Sequence, residues 1–299
     1  MDINALRWAT QWIALVASNA YLGFFKTKQV YQGSLKGACV PFLNCHSCPS
    51  AFFSCPIGIM QHFMTLHQIP FMLLGFLAAV GASVGAAACG WLCPFGFLQD
   101  LMHRIKSFKI RIPSELSGLR YLSLIFLVLL IPYLTQETWF SKICPAGTLQ
   151  AALPWVLWNP VIPVYGEPAV APTAIGWLFG AKVLILLLFL GLFVMSKRPF
   201  CRMACPLGAI MGIFNKISLL RLKVATEHCK DCGKCVASCP VDICVGSDAN
   251  ATTCVRCLKC LDCEHVRLEV GAFGQTSEVR VPRLPARLKP VFKKAVDGS

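Results

Sequence analysis

Eighteen cysteines stand in a chain of 299 residues, and they fall into three groups with different spacings. Closely spaced thiols serve disulfides, tetrahedral zinc or iron–sulfur clusters, and spacing separates these uses. The clearest group is Cys229, Cys232, Cys235 and Cys239, followed by Pro240. In such a C-x2-C-x2-C-x3-C-P run, three thiolates wrap one 4Fe–4S cube and the cysteine before proline turns to a second. A partner run is then required, and it follows as Cys254, Cys257, Cys260 and Cys263. The expected wiring is Cys229, Cys232, Cys235 and Cys263 on one cube, with Cys239, Cys254, Cys257 and Cys260 on the other. The second run ends in a two-residue gap without a proline, so Cys244 is held as an alternate to Cys263. Zinc favours two separated C-x2-C pairs over runs of four.

A second group is a repeat. Cys89-Gly-Trp-Leu-Cys93-Pro-Phe-Gly recurs as Cys201-Arg-Met-Ala-Cys205-Pro-Leu-Gly, with the same spacing and the same tail. Cysteines at i and i+4 share a helical face, so two facing pairs supply four thiolates to one site. Pro94 and Pro206 are expected to end or kink those helices. The bland alternative is a set of small buried thiols near helix ends.

The third group is Cys39, Cys45, Cys48 and Cys55, with Cys144 far along the chain. Cys55-Pro-Ile-Gly and Cys144-Pro-Ala-Gly echo the tail of the repeat with one cysteine each. A further metal site is expected from Cys45, Cys48, Cys55 and Cys144, with Cys39 as alternate ligand. Disulfides are the rival reading, because an oxidising exterior permits them. Haem attachment needs a histidine after the second cysteine of Cys45-His46-Ser47-Cys48, where Pro49 stands.

The elements that position these thiols are membrane helices. The chain is 56% hydrophobic and 14% charged, with a mean hydropathy of +0.61. A bilayer core about 30 Å thick needs roughly 20 apolar residues per helix. Four spans are expected, at about 6–25, 69–90, 117–136 and 175–196. The first could instead be a signal peptide, but it carries Asp2 beside a single Arg7 and no cleavage site follows. Arg104, Lys106, Lys109, Arg111 and Arg120 follow the second span, and Lys197, Arg198 and Arg202 follow the fourth, which puts both regions and both termini in the cytoplasm. Each half then reads helix, outer loop, helix, C-x3-C-P-x-G, and an axis along the membrane normal relates the halves. The segment 149–165, rich in tryptophan and proline, is expected to hug the interface or re-enter. The formal net charge is +14. The basic tail suits anionic lipid or an acidic redox partner, and no nucleic-acid module accompanies it.

The fold class expected is therefore an α-helical membrane protein of four spans in two parallel pseudo-repeats (1–218), an α+β two-cluster ferredoxin module (219–270) and a basic tail (271–299). Paired C-x3-C-P motifs, four spans and the C-terminal run together resemble the NapH-type membrane ferredoxins, quinol dehydrogenase components related to the NosR membrane domain. That resemblance implies electron transfer between the quinone pool in the inner membrane and a redox partner complex. The cysteine-rich segment 39–55 is additional to the minimal pattern. Two other functions stand beside this one: an accessory or maturation factor supplying electrons to a metalloenzyme, and a zinc or disulfide scaffold. Lys182, inside the fourth span, either snorkels to the interface or serves a cluster or quinone site. His62 and His67 either accept protons from quinol or sit at an interface.

Overall fold

The structure is a computed structural model that describes residues 3–27, 29–158, 162–164, 167–169, 176–225, 234–246, 248–263, 265–271 and 277–279. The protein is mostly helical. Its first half runs α1 (Ile3–Ser18), α2 (Pro56–Thr65), α3 (Phe71–Val84), α4 (Ala87–Trp91) and α5 (Pro94–Met102). The second half repeats that order. A long helix, α6 (Ser114–Thr135), passes through a π-helical stretch at Ser123–Leu130. It is followed by α7 at 145–158, a short hairpin of β1 (Ile162–Val164) and β2 (Glu167–Ala169), then α8 (Trp177–Met195), α9 (Pro199–Met203) and α10 (Pro206–Ile213).

Four helices in this repeat begin with the same chemistry. Pro56, Pro94, Pro145 and Pro206 occupy the first helical turn, each directly after a cysteine at the N-cap. Proline suits that position because its missing N–H is one the helix end leaves unpaired and its φ is already helical. The prolines thus start helices, where the sequence had suggested they would end them. As a result Cys89 and Cys93 do not share one continuous helical face: Cys89 lies in α4 and Cys93 caps α5.

Among the described residues, Ser114–Thr135 and Trp177–Met195 are long and apolar enough to cross a membrane. Little of α8 is buried inside the protein: Leu184, Leu187 and Leu188 are exposed, while Leu186 and Phe193 face the core. The other two expected spans are shorter than the sequence suggested. α1 has 16 residues, and α3 stops after 14. α3 stops at Gly85, whose φ of +61° is left-handed, and a β-carbon there would lie 2.6 Å from Asn215 Oδ1.

The segment 39–55, expected as a loop on the outer side after the first span, packs in part against the helical core. Phe42, Leu43 and Cys55 are buried in the same cluster as Cys89, Cys93 and Cys205. Its apolar residues carry it inward, and Asn44 and Ala51 are fully buried with it. Phe95 packs edge-on against Phe193 and Phe200, which joins α5 of the first half to α8 and α9 of the second.

The C-terminal module is a three-stranded antiparallel sheet, β3 (Leu220–Val224), β4 (Val266–Val270) and β5 (Ser277–Val279), in that order. Leu222 pairs with Leu268, and both turn into a small core with Val245, Cys254, Cys260, Leu261 and Val266. A short helix, α11 (Lys234–Ser238), and a turn at Lys259–Asp262 carry cysteines beside that sheet.

Candidate metal centres

Cys89, Cys93, Cys201 and Cys205 border one largely apolar cavity, together with Leu43, Arg120 and residues 252–255. The halves contribute matched ligands through matched caps. Gly96 N–H donates to Cys93 Sγ at 3.4 Å and Gly208 N–H to Cys205 Sγ at 3.3 Å. The donor is the third helical residue, whose free N–H reaches the cap side chain; glycine suits it because a β-carbon would lie 3.3 Å from Cys89 O at Gly96 and 3.4 Å from Cys201 O at Gly208. Gln99 Nε2 adds a third donor, 3.2 Å from Cys201 Sγ. Such N–H groups stabilise negative charge on sulfur and so suit metal-bound thiolates.

Behind the cavity lies a buried ion triad that no motif announced. Arg198 donates to both oxygens of Asp100, at 2.8 and 2.7 Å, and to Cys89 O at 3.2 Å. Arg7 donates to Asp100 Oδ2 at 2.9 Å. Burial alone would raise the Asp100 pKa, but the Arg198 and Arg7 guanidinium groups outweigh it and lower the carboxyl to about 2. Arg198 precedes Cys201 at φ +45°, so the same residue starts α9 and ties it to α5.

Cys239, Cys254, Cys257 and Cys260 border a second cavity, walled by Leu222, Val241 and Val245. These are the four thiols grouped on one cube by the sequence. Burial pushes the Cys254 thiol up to about 12 and raises Cys260 as well. Such thiols stay protonated until a metal displaces the proton. Cys235 and Cys263 pack on the same small core, whereas Cys229 and Cys232 lie outside the described residues. Cys244, the alternate, is exposed and borders neither cavity.

The two cavities share a wall: Cys254 and Val255 border both. The loop 251–257 is held there by residues the sequence did not single out. Asn215 Nδ2 donates to Ala251 O at 3.0 Å and Cys254 O at 2.7 Å, while its Oδ1 accepts from Ala86 N. Arg256 Nη2 donates to Asn215 O at 2.6 Å, and Trp91 Nε1 donates to Arg256 O at 3.0 Å. Gly90 and Gly212 admit the loop, since a β-carbon at either would fall 2.2 Å from Val255 O or 2.1 Å from Thr252 O.

A third cavity, of about 220 Å³, is bordered by Cys45, Cys55 and Cys144, with His46 and Lys182. Lys182 thus lies at a thiol-lined cavity. Leu43 belongs to this cavity and to the one bordered by Cys89, Cys93, Cys201 and Cys205. Cys48 and Cys39 do not border it. His62 lies within α2 and His67 stacks edge-on at 4.5 Å against Tyr133, both away from the three cavities.

Among the described residues no three His, Cys, Asp or Glu side chains close on a single point. The thiols instead line cavities, and thiolates are the donor set that iron–sulfur cubes use.

The comparisons agree with that chemistry. The 4Fe-4S binding domain family matches twice, at residues 66–113 and 177–225, which are the corresponding parts of the two halves. An uncharacterized protein of Methanocaldococcus jannaschii is 28% identical over 71% of this chain and 83% of its own length. The ferredoxin-type protein NapH of Haemophilus influenzae is 25% identical over 84% of this chain and 82% of its own. The methylamine utilization ferredoxin-type protein MauN of Methylorubrum extorquens is 27% identical over 56% of this chain and 51% of its own. No solved structure matches the chain. Motifs and matches together make the chain similar to iron–sulfur proteins of the ferredoxin type. Within that class the chain resembles the NapH-type ferredoxins, as its cysteine motifs imply.

Proposed function

We propose that the chain is a membrane-bound electron-transfer protein that passes electrons between the quinone pool and a redox partner complex. The ligands would be the two ferredoxin sets (Cys229, Cys232, Cys235, Cys263 and Cys239, Cys254, Cys257, Cys260), the inner set (Cys89, Cys93, Cys201, Cys205) and an outer set built on Cys45, Cys55 and Cys144. The observation that carries the reading is the run of shared walls. Leu43 borders the outer and inner cavities, and Cys254 with Val255 borders the inner and ferredoxin cavities. A 4Fe–4S cluster supplies one-electron chemistry when bound. The protein's part is to hold the stations within one residue of each other in an apolar surround, and to set their charge with Arg120, Arg198 and the N–H donors to sulfur.

α1, α3, α6 and α8 would be the four spans, with both termini in the cytoplasm and the ferredoxin module docked under the inner site. The domains follow as 1–218, 219–270 and the tail 271–299. The test is anaerobic purification in detergent, with iron and sulfide analysis, EPR, and reduction by a quinol analogue. About four irons per site and quinol-dependent reduction are expected. Tightly bound zinc without sulfide would refute the electron-transfer reading. Clusters that quinol cannot reduce, with electrons passing only to a metalloenzyme under assembly, would favour the maturation role.

A further inference from the structure

The outer cavity has three thiols on its border, where the inner cavity has four. The sequence supplies Cys48 as the obvious fourth, two residues beyond His46. Yet Cys48 Sγ turns to Asn19 Oδ1 at 3.8 Å and Ser50 Oγ at 3.2 Å, on the α1 side of the loop. Cys39 Sγ is directed to Val40 O at 3.6 Å.

The side chain that faces the cavity is His46. Its ring lies against Gly58, where a β-carbon would fall 2.5 Å from Nδ1 and 2.9 Å from Cε1. Gly58 is the glycine of Cys55-Pro-Ile-Gly, so the imidazole rests on the same helix start that presents Cys55. Two further contacts fix the strand of chain that carries it. Cys45 N donates to Gln150 Oε1 at 2.8 Å, and Trp155 Nε1 donates to Ser47 O at 2.8 Å. Lys182 also borders the cavity, but an ammonium has no lone pair to give a metal, whereas a neutral imidazole does.

We propose that His46, and not Cys48, completes the outer site, giving a Cys45, Cys55, Cys144 and His46 ligand set for a 4Fe–4S cluster. The inference rests on the reading of the outer cavity as a cluster site. Exchanging a thiolate for a neutral imidazole removes one negative charge from the cluster, and histidine ligation raises reduction potential where it occurs in iron–sulfur proteins. The outer site is therefore easier to reduce than the same site would be with four thiolates.

The experiment compares the full-length wild type with Cys48→Ser, His46→Ala, His46→Cys and Cys55→Ser, all purified anaerobically. Iron, sulfide and zinc are counted, and pulsed EPR is recorded on protein carrying nitrogen-15 histidine. Wild type and Cys48→Ser should share one iron content and one strong histidine nitrogen coupling. His46→Ala should lose that coupling. His46→Cys should keep the iron without the coupling, and its outer cluster should be at least tenfold harder to reduce at fixed potential, about 59 mV for one electron. Loss of about four irons in Cys48→Ser, with the His46 variants unchanged, would overturn the assignment. A Cys55→Ser protein with undiminished iron, or zinc in place of iron, would instead remove the outer cluster from the proposed function.

Discussion

Alanine at Gly90 and Gly212 tests whether the loop 251–257 and the helices α4 and α10 form one packed unit. A β-carbon at Gly90 would lie 2.2 Å from Val255 O, and one at Gly212 would lie 2.1 Å from Thr252 O. Both obstacles are backbone oxygens of one loop, so no side-chain rotation relieves them, and the loop must retreat by more than an ångström. Overpacking of this size costs about 1–3 kcal/mol, which multiplies the undocked population about five- to 150-fold. Asn215 and Trp91, which bridge to Cys254 O and Arg256 O, lose their bonds in the same movement. Because both glycines press on one loop, the double variant should cost less than the sum of the singles. The assay is the rate of proteolysis between the helices and the module in detergent, read beside the EPR coupling between the inner and ferredoxin clusters. Gly90→Ala and Gly212→Ala should each speed cleavage and weaken that coupling while sparing total iron. If the double variant matches wild type in both readouts, the shared wall at Cys254 and Val255 is not a contact on which electron transfer depends.

Three other outcomes follow from the buried charges and the repeat. Asp100→Asn leaves Arg7 and Arg198 buried without their carboxylate and should cost about 3–5 kcal/mol, read as a lowered midpoint of thermal unfolding. The Asp100 carboxyl is held at about 2 in the folded protein against 3.8 unperturbed. Its stabilisation is therefore complete above pH 4 and lost only as pH falls toward 2, so the wild-type advantage over Asp100→Asn should be flat from pH 7 to 5 and shrink below 4. An advantage that already declines near pH 6 would contradict the triad. Cys89→Ser and Cys205→Ser should each abolish the inner cluster signal, and the double change should cost little more, since one missing ligand already breaks the site. Retention of iron and electron transfer with either pair replaced would show that no shared cluster exists.

The thiols were legible from spacing because cluster ligation leaves a fixed period in the chain, and the grouping of Cys239 with Cys254, Cys257 and Cys260 follows from it. The two halves were legible for the same reason. Helix boundaries were harder, since hydropathy runs through Gly85 without registering that its backbone turns left-handed, and Pro94 and Pro206 read equally well as stops or starts. The packing of 39–55 was not legible, because a cysteine-rich loop between two apolar helices reads the same in sequence whether it stands clear of the core or packs against it. Asp100, Asn215 and Arg256 left no signal, and Arg198 read only as one of the basic residues after the fourth span, because each has its partner far along the chain. Arg198 meets Asp100 across 98 positions and Arg256 meets Asn215 across 41.

The shared wall at residues 252–255 also imposes an order of assembly. The inner cavity is roofed by Thr252, Thr253, Cys254 and Val255, and Asn215 clamps that roof to the helix that carries Cys89. If the inner thiols hold a cluster as proposed, a rigid cube could not pass a roof already fastened, so the inner site would be filled before residues 252–255 dock. Ribosomal synthesis delivers the roof after all four inner cysteines have emerged. The residues that close the cavity are made after the cysteines that line it, and a cluster held there would leave only when residues 252–255 lift.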